Sequence, residues 1–142
     1  MSEALYQSLV LERSKAPHHA GRLTAFDAQG QCENRMCGDE VLVFYKRQGA
    51  VWRHEAKGCA ILIASADLMC TALSGRAEND IMPLSEKFER LVKTGETAID
   101  LGDLNALASI AQYPARLRCA TLPWHAATNA FTAASGGAQH HV

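Results

Sequence analysis

A run of consecutive apolar, β-branched and aromatic residues at 41–45 (VLVFY) most constrains what this chain can fold into. Such a run is typical of a buried strand. A short turn at 47–49 follows, and residues 50–57 alternate well enough to predict the returning strand of a hairpin. Residues 23–26 predict a weaker strand. The first half of the chain therefore predicts a small antiparallel sheet of about three strands.

Helical periodicity accounts for most of the remaining chain, because apolar residues recur there at three-to-four residue spacing. Strands come first and helices follow, so the predicted class is α+β, with helices packed on one face of the sheet. We expect one domain over 1–131 and a flexible tail over 132–142. Helices are predicted over 2–15, from Cys59 to Leu73, over 83–93, after Asp103 with Leu104, Leu107 and Ile110, and from Pro114 to Phe131, with a loop at 99–103 and a kink at Pro123.

Charge and hydropathy exclude several functions. The 142 residues include 14 basic and 15 acidic side chains. A net charge of −1 lacks the excess of positive charge that nucleic-acid binding requires. An acid, Glu3, lies where a signal peptide needs positive charge, and no apolar run follows it. The most apolar stretch, 59–73, is too short and too polar to cross a membrane. We therefore expect a cytoplasmic protein with no nucleic-acid or membrane partner.

Three of the five cysteines lie near glycine or proline at the predicted ends of elements, where side chains are exposed. Cys37 precedes the first predicted strand of the hairpin, Cys59 opens a helix, and Cys119 lies near the start of the last helix. A helix N-terminus lowers a thiol pKa toward the reactive thiolate. With Asp39, these residues form a soft-sulfur and hard-oxygen donor set that suits Zn²⁺ or an iron–sulfur cluster. Their wide spacing leaves buried structural cysteines as the alternative.

The other candidate residues have simpler interpretations. Cys70 lies inside the second helix and is predicted to pack in the core. Cys32 lies in a predicted polar loop and is predicted not to be a fifth ligand. The sequence leaves open whether it takes the place of one of the four ligands. His125 lies beside Trp124 and is predicted to be an ordinary packing or surface histidine.

Two groups of motifs are similar to a known family. The pattern Asn34-x-x-Cys37-Gly-Asp39 with Gly58-Cys59-Ala-Ile resembles the NifU/IscU-type iron–sulfur cluster assembly proteins. The segments IDLGD at 99–103 and YPARLRCATLPW at 113–124 resemble the SufU branch, which carries an insertion before the third cysteine. The resemblance extends from Ala4 to Phe131.

This resemblance implies a site and partners. Cys37, Asp39, Cys59 and Cys119 match the family's metal positions, which hold Zn²⁺ in SufU-type proteins and a transient [2Fe–2S] cluster in IscU-type relatives. Cys37 matches the proposed acceptor of persulfide sulfur from a SufS-like cysteine desulfurase, and iron–sulfur acceptor proteins would take the product. Arg116 matches the family's Pro-Ala-Arg segment and lies three residues before Cys119, so it either stabilises a thiolate or is a solvated helix charge.

The chain departs from the IscU pattern at two places. IscU proteins have histidine immediately before the third cysteine, where this chain has Arg118. Their Pro-Pro-Val-Lys docking segment is replaced here by PARL at 114–117. Both differences argue against chaperone-driven handoff of a cluster.

The function predicted from these residues is iron–sulfur cluster biogenesis, and two mechanisms remain open. The protein is either a zinc-dependent sulfurtransferase or a scaffold for a nascent cluster, so its standing as an enzyme is also open. The alternative is a small structural-zinc module without sulfur-transfer chemistry. The carboxylate of Asp39 argues against that alternative, because structural zinc sites are mostly closed Cys/His sets.

Overall fold

The computed structural model describes residues 3–36 and 38–136, with side chains for 6–36 and 38–131. It is an α+β fold, as the order of strands and helices predicted. The strands are β1 (Ala28–Asn34), β2 (Asp39–Lys46) and β3 (Val51–Lys57); the α-helices are α1 (Glu3–Lys15), α2 (Ala60–Leu73), α3 (Ile81–Thr94) and α4 (Leu117–Gly136); and 3₁₀ helices cover Glu78–Asp80, Ile99–Gln112 and Pro114–Arg116.

The three strands form one antiparallel sheet in the order β1-β2-β3. The hairpin predicted from the 41–45 run is confirmed, with Tyr45 opposite Trp52. In the other strand pair, Asn34 lies opposite Asp39. This register places Asp39 at the start of β2, on the same side of the sheet as the inward-facing residues of that strand.

The first strand lies later in the chain than predicted. Residues 23–26 form no strand, and β1 spans Ala28–Asn34 instead. The strand alternates small buried residues with exposed polar ones, so it lacks the β-branched and aromatic residues that normally signal a strand. The loop location predicted for Cys32 is wrong for the same reason, because this residue lies in β1 with its side chain fully buried.

Small residues in β1 allow the last helix to lie directly on the sheet. A Cβ atom added at Gly30 would lie 1.9 Å from the backbone oxygen of Ala126 in α4. The Asn129 side chain, also on α4, donates a hydrogen bond of 3.0 Å to the backbone oxygen of Gln31. The close approach of α4 to β1 thereby fixes the start of α4 relative to the sheet end that carries Asp39.

The helical segments were predicted with one change of type. The predicted loop at 99–103 is part of a 3₁₀ helix, Ile99–Gln112, which Gly102 interrupts with non-helical backbone angles. Its buried side chains Leu104, Leu107 and Ile110 recur every three residues, which matches the three residues per turn of a 3₁₀ helix. Pro123 lies inside α4, which continues past it to Gly136. Residues 137–142 of the predicted tail lie outside the described residues.

A buried carboxylate joins the N-terminal part of the chain to α2 and β3. Asp67 of α2 is fully buried and accepts hydrogen bonds from Arg13 Nη1 at 2.8 Å and from His54 Nε2 at 3.0 Å. The backbone N–H groups of His18 and His19 also donate to it, at 2.9 and 2.7 Å. Burial alone would raise the pKa of Asp67, but these hydrogen bonds hold the pKa well below its ordinary value.

The helices of the described part of the chain are all too short or too polar to span a bilayer.

Candidate metal centre

Asp39 supplies a buried carboxylate at the start of β2. Its side chain is almost fully enclosed, and both of its oxygens are engaged. Oδ1 accepts a hydrogen bond from the backbone N–H of Cys59 at 3.3 Å, and Oδ2 accepts one from the Cys119 thiol at 3.0 Å. The carboxylate therefore connects two segments that are remote from it in sequence.

Cys59 lies at the junction between β3 and α2. It occupies the N-cap position of α2, as the sequence predicted for a helix opening there, and its thiol is partly buried. The residue before it, Gly58, has a φ of +153°, a conformation that L side chains rarely adopt. The Cys59 thiol therefore lies at a helix N-terminus, where the first backbone N–H groups have no partner within the helix.

Cys119 lies in the first turn of α4 and is buried. Its pKa is raised to about 12, first by burial and then by hydrogen bonding to Asp39 and Cys59. In the metal-free protein this thiol therefore keeps its proton and donates it to the carboxylate. A bound cation would reverse this preference, because a coordinating thiol is deprotonated.

Arg116 brings a positive charge to the same site from the 3₁₀ turn before α4. Its side chain is exposed, and its guanidinium interacts with both described site thiols. Hydrogen bonding to Cys119 raises the pKa of Arg116, and the charges of Cys59 and Cys119 raise it further. The sequence left open whether Arg116 is a solvated charge, and the structure places it beside the sulfurs.

The donor atoms of Asp39, Cys59 and Cys119 all lie within 4.8 Å of one another. Ligands of a tetrahedral zinc ion with bonds of about 2.3 Å lie roughly 3.8 Å apart, so side-chain shifts of about 1 Å suffice to close the set on one ion. Two sulfurs and one oxygen suit Zn²⁺ or iron. The three predicted ligands that the structure describes thus fit a metal ion.

The fourth predicted ligand, Cys37, lies outside the described residues. Its neighbour Gly38 has a φ of +72°, and among the described residues other than its chain neighbours no heavy atom lies within 4 Å of the position a Cβ atom would take there. Asn34, at the other end of this connection between β1 and β2, is opposite Asp39 in the sheet. Membership of Cys37 in the site stays a prediction.

The remaining candidates lie elsewhere. Cys70 is buried in the core as predicted, and burial raises its pKa well above the ordinary thiol value. Burial lowers the pKa of His125 on α4. Among the residues that the structure describes, the cluster of Asp39, Cys59 and Cys119 includes neither of them. Gly58 was not predicted as a site residue, although a Cβ atom there would lie 2.1 Å from Asp39 Oδ1; its position directly before Cys59 was the available signal.

The fold and the site define a small α+β domain in which a sheet end and two helix starts bring a carboxylate and two thiols together. The chain belongs to the family described as the NifU-like N terminal domain, whose profile matches residues 5–120. This result confirms the resemblance found in the sequence.

Relatives in this family are similar to the chain over most of its length. The zinc-dependent sulfurtransferase SufU of Bacillus subtilis (strain 168) is 31% identical over 140 residues, which is 95% of either chain. The iron–sulfur cluster assembly scaffold protein IscU of Streptococcus pyogenes serotype M1 is 33% identical over 141 residues, 96% of this chain and 87% of that protein. The crystal structure of a nitrogen-fixing NifU-like protein (N-terminal) from Brucella abortus has a TM-score of 0.80 at 24% identity, covers 96% of this chain and 100% of its own, and supports the fold.

Proposed function

We propose that this protein acts in iron–sulfur cluster biogenesis, receiving sulfur from a cysteine desulfurase and binding metal or a nascent [2Fe–2S] cluster at Cys37, Asp39, Cys59 and Cys119. The observation that carries the proposal is the convergence of Asp39, Cys59 and Cys119 within 4.8 Å in a member of this family. The relatives' names supply both parts of the function, since one is a zinc-dependent sulfurtransferase and another a cluster scaffold.

In the sulfur-transfer step, the Cys37 thiolate attacks the outer sulfur of a persulfide on the desulfurase. A new sulfur–sulfur bond forms at Cys37, the old one breaks, and the desulfurase cysteine leaves as a thiolate. No oxidant or reductant is consumed. Asp39, Cys59 and Cys119 hold the metal, whose positive charge stabilises the thiolates when it is bound.

Arg116 supports this chemistry through its charge. Its guanidinium lies beside the Cys59 and Cys119 sulfurs, and a nearby cation favours the thiolate over the thiol. We propose that Arg116 stabilises thiolate or persulfide charge at the site and is not a ligand. The exposed position of this side chain leaves it accessible to a partner protein.

A structural-zinc module is the second candidate, and one observation favours it. The three described donors come from β2, from the start of α2 and from the first turn of α4, so a bound ion would cross-link three parts of the fold. Such a site would stabilise the domain without any chemistry. Asp39 argues against this candidate, because carboxylate is uncommon in closed structural zinc sites.

The first experiment measures metal content and sulfur transfer on the same preparation. The protein is purified without added metal, zinc and iron are counted per chain, and the rate of a cysteine desulfurase is measured with and without it. Stoichiometric zinc and an accelerated desulfurase support the transferase mechanism. A chromophore that forms from iron and sulfide, without acceleration, supports the scaffold mechanism.

The variant Cys37→Ser separates both mechanisms from the structural-zinc module. We expect it to lose sulfur transfer while staying folded, and Cys70→Ala is the matched control because Cys70 lies in the core outside the site. Two results together would favour the structural module. The wild-type protein would bind zinc but neither accept sulfur nor assemble a cluster, and Cys37→Ser would lose thermal stability. We also propose that the protein is cytoplasmic and that iron–sulfur acceptor proteins receive its product.

A further inference from the structure

Gly58 makes room for the Asp39 carboxylate. A Cβ atom added at Gly58 would lie 2.1 Å from Asp39 Oδ1 and 2.9 Å from Asp39 Cγ. It would also lie 2.8 Å from Cδ2 of Leu62, the far end of a side chain that can rotate. The carboxylate has less freedom, because it is buried and both oxygens are hydrogen-bonded. A side chain at position 58 must therefore displace the carboxylate or the β3–α2 junction.

We propose that Gly58 is a positioning residue that determines whether the oxygen ligand can occupy the site. With glycine, Asp39 Oδ1 reaches the Cys59 N–H and Oδ2 reaches the Cys119 sulfur. With any Cβ at this position, the carboxylate turns away and only sulfur donors remain at the centre. Gly58 thus controls the oxygen-to-sulfur composition of the ligand set, and through it the ease with which bound metal is released. This last consequence rests on the proposed function; the effect on the carboxylate does not.

Backbone strain is a separate effect of substituting Gly58. Its φ of +153° disfavours an L side chain whatever the available space, so a loss of stability alone does not show a contact with Asp39. Gly75 provides the matched control. It also has a positive φ, +80°, and in the described part of the chain no heavy atom beyond its chain neighbours lies within 4 Å of the position a Cβ atom would take there. Gly75→Ala therefore measures the effect of backbone strain without a steric clash like that between a Cβ at position 58 and Asp39.

The decisive measurement uses metal-free protein and follows the backbone amide of Cys59 by hydrogen exchange. In Gly58→Ala we expect this amide to exchange at least tenfold faster than in wild type, because its acceptor, Asp39 Oδ1, has moved. The amide of His54, which donates to His19 O at 3.0 Å, serves as the internal reference for any general loss of protection. Gly75→Ala should leave the ratio of the two exchange rates unchanged.

The double variant Asp39→Ala/Gly58→Ala tests whether the effect passes through the carboxylate. Asp39→Ala alone should also speed exchange at Cys59, and the added Gly58→Ala should change the rate by less than twofold. If Gly58→Ala leaves the Cys59 ratio at the wild-type value, or if the two substitutions act independently, the proposal is wrong. The double variant also lacks the clash, so it remains informative if Gly58→Ala alone folds poorly.

A metal-release measurement then connects the residue to the proposed function. Zinc-loaded wild type, Asp39→Ala, Gly58→Ala and Gly75→Ala are mixed with a coloured chelator, and the rate of zinc transfer is recorded. We expect Gly58→Ala to change that rate in the same direction as Asp39→Ala, and Gly75→Ala to match wild type. Opposite directions for the first two would overturn the link to metal release. Failure of every variant to bind zinc would count against the proposed function, while the exchange data would still decide the role of Gly58.

Discussion

The Cys119 thiol donates a hydrogen bond of 3.0 Å to Asp39 Oδ2, joining the first turn of α4 to the start of β2 across 80 residues of sequence. The thiol is buried beside a carboxylate, and both facts favour its protonated form. Without metal, the proton of the Cys119 thiol links this residue to Asp39 through a hydrogen bond, and a bound metal ion would displace that proton. This arrangement gives the first two predictions, which concern the site without and with metal.

The metal-free protein should lose stability in alkaline solution through Cys119. Its folded-state pKa of about 12 lies above the ordinary thiol value of 9.0, so the folded state holds the proton more tightly than the unfolded state. The stabilisation is complete below pH 9 and is lost as the pH rises from about 9 to about 12. Chemical denaturation of the metal-free protein across this range measures the effect. Asp39→Ala should show a weaker dependence, and an equal dependence would contradict the assignment to the Asp39–Cys119 pair.

With metal or cluster bound, Asp39→Ala should retain its load longer than wild type. A carboxylate is a poorer partner than thiolate for a soft iron centre, so its presence keeps the bound species exchangeable. We expect slower loss of a reconstituted cluster, measured by decay of its visible absorbance in the presence of a chelator. The conservative variant Asp39→Glu keeps the carboxylate and is the control for charge. Decay at the wild-type rate in Asp39→Ala would contradict this role for the carboxylate.

The sequence predicted the parts of this site that depend on local chemistry. Cys59 and Cys119 were recognisable because each lies near a helix start, after Gly58 and Pro114 respectively. Asp39 was recognisable by its position two residues after Cys37. Their distances from one another depend on the packing of α4 against β1, which no local pattern encodes. Family resemblance supplied that information.

The errors in the fold prediction have a common physical cause. β1 was missed because its inward residues are small, and small residues are what the approach of α4 requires. The 3₁₀ helix at Ile99–Gln112 was predicted partly as a loop because Gly102 interrupts it. In both places tertiary packing selected a conformation that intrinsic propensity does not favour. Asp67 is the only charged residue of α2, and its burial is explained by its partners Arg13 and His54, which periodicity does not reveal.

The packing of β1 against α4 can be tested at Gly30. A Cβ atom there would lie 1.9 Å from Ala126 O, and a backbone atom cannot move aside as a side chain can. We expect Gly30→Ala to lower the free energy of unfolding by about 3 kcal/mol or more. Gly75→Ala, whose Cβ would meet open space, should cost only the strain of its positive φ, roughly 1 kcal/mol. Equal losses in urea denaturation would show that α4 does not lie this close to β1.

Asp67→Asn should destabilise the fold through the buried cluster. The substitution removes the charge that pairs with Arg13 Nη1 at 2.8 Å and leaves a buried guanidinium uncompensated. Breaking such a pair costs about 3–5 kcal/mol. Glu89→Gln is the matched control, because Glu89 forms an exposed pair with Lys93 whose loss should cost about 0.5 kcal/mol or less.

The same cluster predicts the direction of acid sensitivity. The pKa of Asp67 is held below its ordinary value, so its stabilisation is present above the unfolded pKa and is lost as the pH falls through the folded one. Asp67→Asn should therefore flatten the decline of stability below pH 4. A decline as steep as that of wild type would assign acid unfolding to other carboxylates.

Arg116→Gln should slow the reaction of the Cys59 thiol with iodoacetamide in metal-free protein. Cys59 is the partly accessible thiol of the described site, and the guanidinium of Arg116 beside it stabilises the negative charge that the sulfur carries when it attacks. We expect a several-fold lower rate near neutral pH. Arg118→Gln is the control: burial lowers the pKa of His125, and the Arg118 charge lowers it further. Arg118→Gln should raise the pKa of His125, measured by NMR titration, and leave the rate of Cys59 alkylation unchanged. A similar slowing of alkylation in both variants would mean that any nearby positive charge, and not Arg116 in particular, affects the thiol.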